Sequence, residues 1–355
     1  MNAIDLNADR PAPRAVAAVH PTHTFRLLLR REFWEHRGGF LWAPMVAGAI
    51  FLLLSIMGIG VGELAARRVM DSNSHAMIST DDGNFRLNGL DLSKLTEKLN
   101  SEDVRELGGA VDGLLFMAGS WPLMVLAFVV FFYCLGSLYD ERKDRSVLFW
   151  KSLPVSDGQT VLSKVASATL TAPALAVAAS LLTMIGFLLI LSVVVMFHGG
   201  NPITLLWGPG SPFTVALNLL AGIPIYALWA LPTVGWLMLC SAWAKSKPFL
   251  WAIMIPVFAG IFVTWFDLMQ MFNLETVWFW KNIVGRALLS VWPGTWIDVA
   301  TFEHANIDGP ESIRQLFNVK SMYSTLLTPQ LWIGAIAGAA MIFAAIRLRR
   351  WRDEG

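Results

Sequence analysis

Long apolar runs organise this chain, with no sustained alternation of apolar and polar positions. Residues 40–61, 114–138, 165–197, 213–244, 249–272 and 331–346 are built mainly of Leu, Ile, Val, Phe, Trp, Ala and Gly, and the one acidic or basic side chain among them is Asp267. A hydrocarbon core about 30 Å thick takes roughly 20 residues of α-helix at 1.5 Å per residue, so the pattern predicts six membrane-crossing helices. A membrane β-barrel would need short segments of alternating polarity instead. Residues 283–300 are also apolar but hold Arg286, Pro293, Gly294 and Asp298. An Arg at the centre of a span costs about 2.5–3.5 kcal/mol on insertion scales, and a Pro-Gly pair interrupts the helical hydrogen-bond ladder. That stretch is therefore expected as a hairpin dipping into the outer leaflet, held by Trp278, Trp280, Trp292 and Trp296, in preference to a seventh span.

The polar segments between the runs set the orientation. With both termini on one side, that side holds 17 Lys and Arg residues against 10 on the other, although the poorer side has the longer segments. The positive-inside rule then predicts cytoplasmic termini. Residues 1–23 are expected as a disordered cytoplasmic tail. Residues 24–37, with Phe25, Leu28, Leu29 and Phe33 at helical spacing among four arginines, are expected as an interfacial helix. The segment 24–346 forms a single transmembrane domain. Within it, residues 63–112 make an extracytoplasmic subdomain, with a short helix ended by Gly108. Residues 140–164 form a cytoplasmic loop in which Ser156 caps the following helix, and 273–330 an extracytoplasmic hairpin region. A basic tail, 347–355, follows.

Composition narrows the chemistry. Of 355 residues 55% are hydrophobic and only 15% charged, with net charge +1; soluble domains carry about 25% charged residues. Nothing in this balance recruits nucleic acid. Cys134 and Cys240 lie inside apolar runs and read as buried small hydrophobes. The chain contains no Gly-x-x-x-x-Gly-Lys-Ser/Thr, no Gly-x-Ser-x-Gly and no His-Glu-x-x-His, so it encodes neither a phosphate-binding loop nor a familiar hydrolase signature. Its six histidines are scattered, and neither a metal site nor a catalytic residue is expected. A membrane enzyme would need His198 or Asp267 to converge on Ser120, Ser180 or Ser192. Near mid-membrane no titratable group is found, whereas an ion-coupled pump would place one there; energy for transport would come from outside the chain. Gly58/Gly62 and Gly334/Gly338 each form a Gly-x-x-x-Gly face that permits close helix approach, most simply within one protomer.

The loop after the second run is unlike a solvated connector. It begins Tyr139-Asp-Glu-Arg-Lys-Asp-Arg, continues through Val147-Leu-Phe-Trp, and reaches Leu153-Pro-Val-Ser before Lys164. Charges flanking an apolar patch suit a docking surface for a soluble protein or for the membrane surface. In this order Glu141-Arg142, Ser146, Leu148, Leu153-Pro154-Val155-Ser156 and Lys164 resemble the corresponding loop of ABC-2-type permeases, the membrane subunits of ATP-binding-cassette exporters. Arg145 and Ser163 stand where that family usually has glycine. The segment Leu29-Arg30-Arg31-Glu32-Phe33-Trp34 resembles the family's interfacial helix, and six spans with a large first outer loop also agree. The resemblance implies an all-α permease subunit in a bacterial cytoplasmic membrane, in a homodimer or heterodimer of permeases surrounded by lipid. It would export a hydrophobic or amphipathic substrate, with no cofactor of its own and with ATP and Mg on a separate cytoplasmic ATPase. It also implies that Glu141, Arg142, Arg145, Phe149, Trp150, Leu153 and Pro154 contact that ATPase. The second and fifth helices would wall the cavity, with Phe128, Phe131, Phe132, Phe258 and Phe262 as candidate lining. A non-transporting scaffold or sensor that binds an ATPase is the alternative, and a membrane enzyme the more distant one.

Overall fold

The computed structural model describes residues 21–72, 101–146, 155–269, 275–297 and 318–351. Outside it lie the N-terminal tail, residues 73–100 of the expected extracytoplasmic subdomain, residues 298–317, and residues 147–154 of the loop, with Phe149, Trp150, Leu153 and Pro154. The described residues are helical, without strands. Helix α1 is Pro21–Glu35, and a π-helical turn, Gly38–Trp42, leads into α2, Ala43–Ser72. Next come α3, Ser101–Gly136, and α4, Tyr139–Lys143. Helix α5, Asp157–Ala166, passes through a π-helical turn at Ser167–Thr171 into α6, Ala172–Phe197. Then follow α7, Pro212–Trp229; α8, Leu231–Trp243; and α9, Pro248–Leu268. Short pieces α10, Thr276–Phe279; α11, Gly285–Leu289; and α12, Val319–Ser324, precede α13, Pro329–Trp351.

Six helices are long and apolar enough to cross a membrane, and they fall on the six runs. Their flanks carry Leu53, Met57, Phe197, Phe262 and Ile336 more than half exposed, apolar surface that only lipid or another apolar surface can cover. The chain is thus a multi-pass membrane protein, all-α over the described residues.

Three details depart from the pattern. Helix α3 runs through Gly108 instead of ending before it, because Gly108, Gly109 and Val111 are buried and tertiary packing outweighs the roughly 1 kcal/mol propensity cost of each glycine. Asp112, buried one residue further on, accepts a 2.6 Å hydrogen bond from the backbone N–H of Ser211 at the entry to α7. The fourth run divides at Ala230 into α7 and α8, since Pro232 has no N–H to continue the ladder. Residues 157–197 form one continuous helical rod of 41 residues, far longer than a bilayer core requires.

The 283–300 stretch makes no seventh span among the described residues. Helical structure from Thr276 to Leu289 gives way to turns, and Gly294 takes φ +89°, a left-handed conformation that suits glycine. The indole of Trp280 lies over Gly260 of α9, where an added Cβ would come within 2.7 Å of the ring, and its N–H donates to Thr264. The Arg286 guanidinium stacks 3.5 Å above the Trp229 ring, a cation–π contact that offsets part of its desolvation.

The core is formed by α3, α6, α8 and α13 around Val130, Cys134, Val234, Met238 and Ile342. Both cysteines are buried and free. Helices α8 and α13 cross backbone to backbone at Gly235 and Gly338, so the second Gly-x-x-x-Gly face packs within the protomer. Around Gly58 and Gly62 a Cβ would meet nothing within 4 Å, and α2 stays at the periphery.

Candidate functional site

At the end of the bundle where α1, α3, α4, α5 and α13 meet, charged side chains are packed inside the protein. The Glu32 carboxylate, 1% exposed, accepts a 2.7 Å hydrogen bond from the Tyr133 hydroxyl and lies 3.0 Å from Lys164 Nζ. Lys164, 2% exposed, also reaches 3.1 Å from Glu141 Oε1. Arg349 joins Glu141 Oε2 at 2.5 Å and Asp157 Oδ1 at 3.2 Å, and Arg31 stands 3.6 Å from Glu141 Oε1. Inside the protein Glu32 and Glu141 are matched by Lys164 and Arg349, as buried charge requires, while the partly exposed Asp157 and Arg31 flank them and Arg31 also pairs with Glu35 at 3.2 Å. The network ties the first described helix to the last through groups more than 300 residues apart in sequence.

This cluster fixes both flanks of the 147–154 loop. On one side, Leu138 and Tyr139 donate their N–H groups to Ser241 Oγ at 3.1 and 2.9 Å. Arg142 donates to the carbonyls of Ser241 and Ala244 at 2.7 and 2.8 Å, capping α8 with a cation where its dipole is negative. Arg145 takes φ +55°, the left-handed region in which glycine is strain-free. On the other side, Ser156 Oγ accepts from Gln159 N while Gln159 Oε1 accepts from Ser156 N, a complete capping box at the start of α5.

Of the residues expected to touch a partner, Glu141 is buried in the ion-pair cluster and Arg142 is engaged with α8, so both position the loop's base. Arg145 lies at the turn, and Phe149, Trp150, Leu153 and Pro154 fall outside the described residues. Glu32, Tyr133, Lys164, Asp157 and Arg349 were not singled out from sequence as one site. Their burial follows the helix faces that the structure buries: Glu32 lies one turn after buried Leu28, and Arg349 extends the buried 331, 335, 338, 342, 345 series of α13.

A cavity of about 800 Å³ adjoins the cluster, with Arg31, His36, Tyr133 and Asp140 on its polar side and Phe128 and Phe132 on its apolar side. Phe131 and Phe132 join Phe249 in an aromatic group, and Phe128 packs edge-on against Trp292 at 4.9 Å. Three of the five candidate cavity phenylalanines thus come together. Phe258 lies apart, in a groove with Trp251 and Lys247, and Phe262 is 61% exposed on α9. His198 pairs with Glu63 at 3.9 Å and Asp267 accepts from Thr276, while Ser120 and Ser192 donate to carbonyls of their own helices.

His36 stacks edge-on against Tyr133 at 4.8 Å. Burial pushes its imidazole below the ordinary value of 6.5, overriding the pull of Glu32 and Glu35. A folded-state value below the unfolded one means the unfolded chain binds more protons, so His36 contributes stability that is present above pH 6.5 and declines as pH falls through its folded value. Thermal unfolding of the purified protein at intervals from pH 7.5 to 5.5 should show this decline, and His36→Phe should flatten it.

The chain matches no protein-family profile, no curated protein and no solved structure.

Proposed function

We propose that this protein is the permease subunit of an ATP-driven exporter of the ABC-2 type, and that the 147–154 loop is where a separate cytoplasmic ATPase engages it. The observation carrying this reading is the anchoring of both loop flanks in one buried, charge-balanced cluster. A push on the loop would be delivered through Glu141, Lys164 and Arg349 to α3, α5–α6 and α13 together, instead of being absorbed by a slack connector. Apolar spans that lack a mid-membrane titratable group, and a chain without a phosphate-binding loop, support an external energy source. The motif likeness of residues 141–164 supports the family.

In this reading both described ends are cytoplasmic, the 276–297 hairpin re-enters from the outer leaflet, and two permeases pair around the transport path. ATP shifts the conformational equilibrium only through a difference in ATPase affinity for the two permease states. Phe149 and Trp150 form the apolar anchor of the docking contact. Substituting both with Ala is expected to reduce co-purification of the cognate ATPase in mild detergent at least tenfold, since buried aromatic anchors carry about 2 kcal/mol or more each, while the permease itself stays folded. Undiminished co-purification, together with undiminished permease-stimulated ATPase activity, removes the loop from the interface.

A further inference from the structure

The turn between α8 and α9 sets two ammonium groups over an apolar strip. Lys245 and Lys247 are exposed, and neither pairs with a carboxylate among the described residues. Hydrogen bonds from Arg142 to the Ser241 and Ala244 carbonyls put this turn at the end of the bundle that holds the ion-pair cluster, and bring a third cation there. The carboxylates of Asp140 and Asp144 belong to the separate cavity beside α1. Lys247 takes φ +48°, so a side chain stands at a conformational cost where glycine would be unstrained.

From this turn a groove of about 510 Å³ follows one face of α9. Lys247 is at its head, Leu250, Trp251, Met254 and Ile255 form its bed and Phe258 its foot, and no acidic side chain contributes. These positions recur every three or four residues, so they share one helical stripe. From Lys247 to Phe258 is eleven residues, about 16 Å of helix, or half of a hydrocarbon core about 30 Å thick. Trp251 is 46% exposed and meets Trp243 edge-on at 5.5 Å, and indoles so placed settle at the headgroup level. The groove therefore matches one leaflet in depth, apolar along its length and cationic where headgroups lie.

We infer that this face of α9 binds an anionic glycerophospholipid from the bilayer, with its phosphate between Lys245 and Lys247 and one acyl chain along the groove. Charge decides between the occupants such a face could take. A zwitterionic lipid brings its own cation to the two lysines. A second copy of the chain, related by a two-fold axis along the membrane normal, would set Lys247 against its own counterpart. An anionic headgroup instead neutralises both lysines, and each basic residue at a membrane surface favours anionic lipid by about fivefold. The site does not depend on the exporter reading: lipid binding and ATPase docking can succeed or fail separately.

The test places the photo-crosslinking residue benzoylphenylalanine at Met254, 40% exposed in the bed of the groove, in the full-length chain. The protein is held in nanodiscs of equal parts phosphatidylglycerol and phosphatidylcholine with the same acyl chains, and intact-mass spectrometry identifies what is attached after illumination. Phosphatidylglycerol adducts should outnumber phosphatidylcholine adducts by about five- to twentyfold, the range for one to two basic residues. Lys245→Gln combined with Lys247→Gln should bring the two adducts to parity, and both sites are exposed, so folding is retained. Lys247→Arg should preserve the preference. Lys281→Gln, next to the Trp280 that packs on the other half of α9, should leave it unchanged. Adducts in proportion to supply, a preference that survives loss of both lysines, or attachment mainly to a second copy of the chain each overturns the proposal.

Discussion

Replacing Lys164 with Met is expected to destabilise the protein by about 3–5 kcal/mol, the range for breaking a buried ion pair from one side. Glu32 and Glu141 would both keep their burial and lose the ammonium 3.0 and 3.1 Å away. Tyr133 and Arg349 would still hold one oxygen of each, but one cation would now face three carboxylates, with Arg31 at longer range. The double variant Lys164→Met with Glu32→Gln should regain much of the loss, because a neutral amide can still accept from Tyr133. Thermal stability in detergent, followed by size-exclusion chromatography, reads both results. A Lys164→Met protein that melts with the wild type would show that the cluster contributes nothing to folding.

The second large effect is steric. Gly338→Ala would place a Cβ 2.4 Å from the Leu231 carbonyl oxygen and 2.8 Å from Pro232 N, and Gly235→Ala would place one 2.5 Å from the Gly338 carbonyl oxygen. All of these are backbone atoms and cannot rotate away, so α8 and α13 must separate along a core seam. A loss of about 3 kcal/mol, the upper range for overpacking, is expected for either variant. Gly58→Ala and Gly62→Ala carry the same chemical change where nothing lies within 4 Å, and should be neutral or gain up to about 1 kcal/mol of helix propensity. Parallel melting curves of the four variants separate packing from propensity.

The six spans were legible in sequence because hydrocarbon imposes a length and an apolarity that no other environment demands. The capping box at Ser156 was legible because it is local, closed by a residue three positions on. The run of α3 through Gly108 was not, since the burial that sustains it comes from contacts distant in sequence. The ion-pair cluster was hidden for the same reason. Glu32, Tyr133, Glu141, Lys164 and Arg349 sit on separate helices, and a carboxylate destined for a buried partner looks in sequence like one destined for water. The loop motif pointed to Glu141 and Arg142, yet their side chains turn inward, toward Arg349 and the end of α8.

The participation of Arg349 in the cluster has a bearing on biogenesis. During synthesis Glu32 and Glu141 emerge long before the segment that carries Arg349. Until that segment is made, the carboxylates gathered there outnumber their cations. Completion of the cluster therefore waits for α13, which carries Arg349.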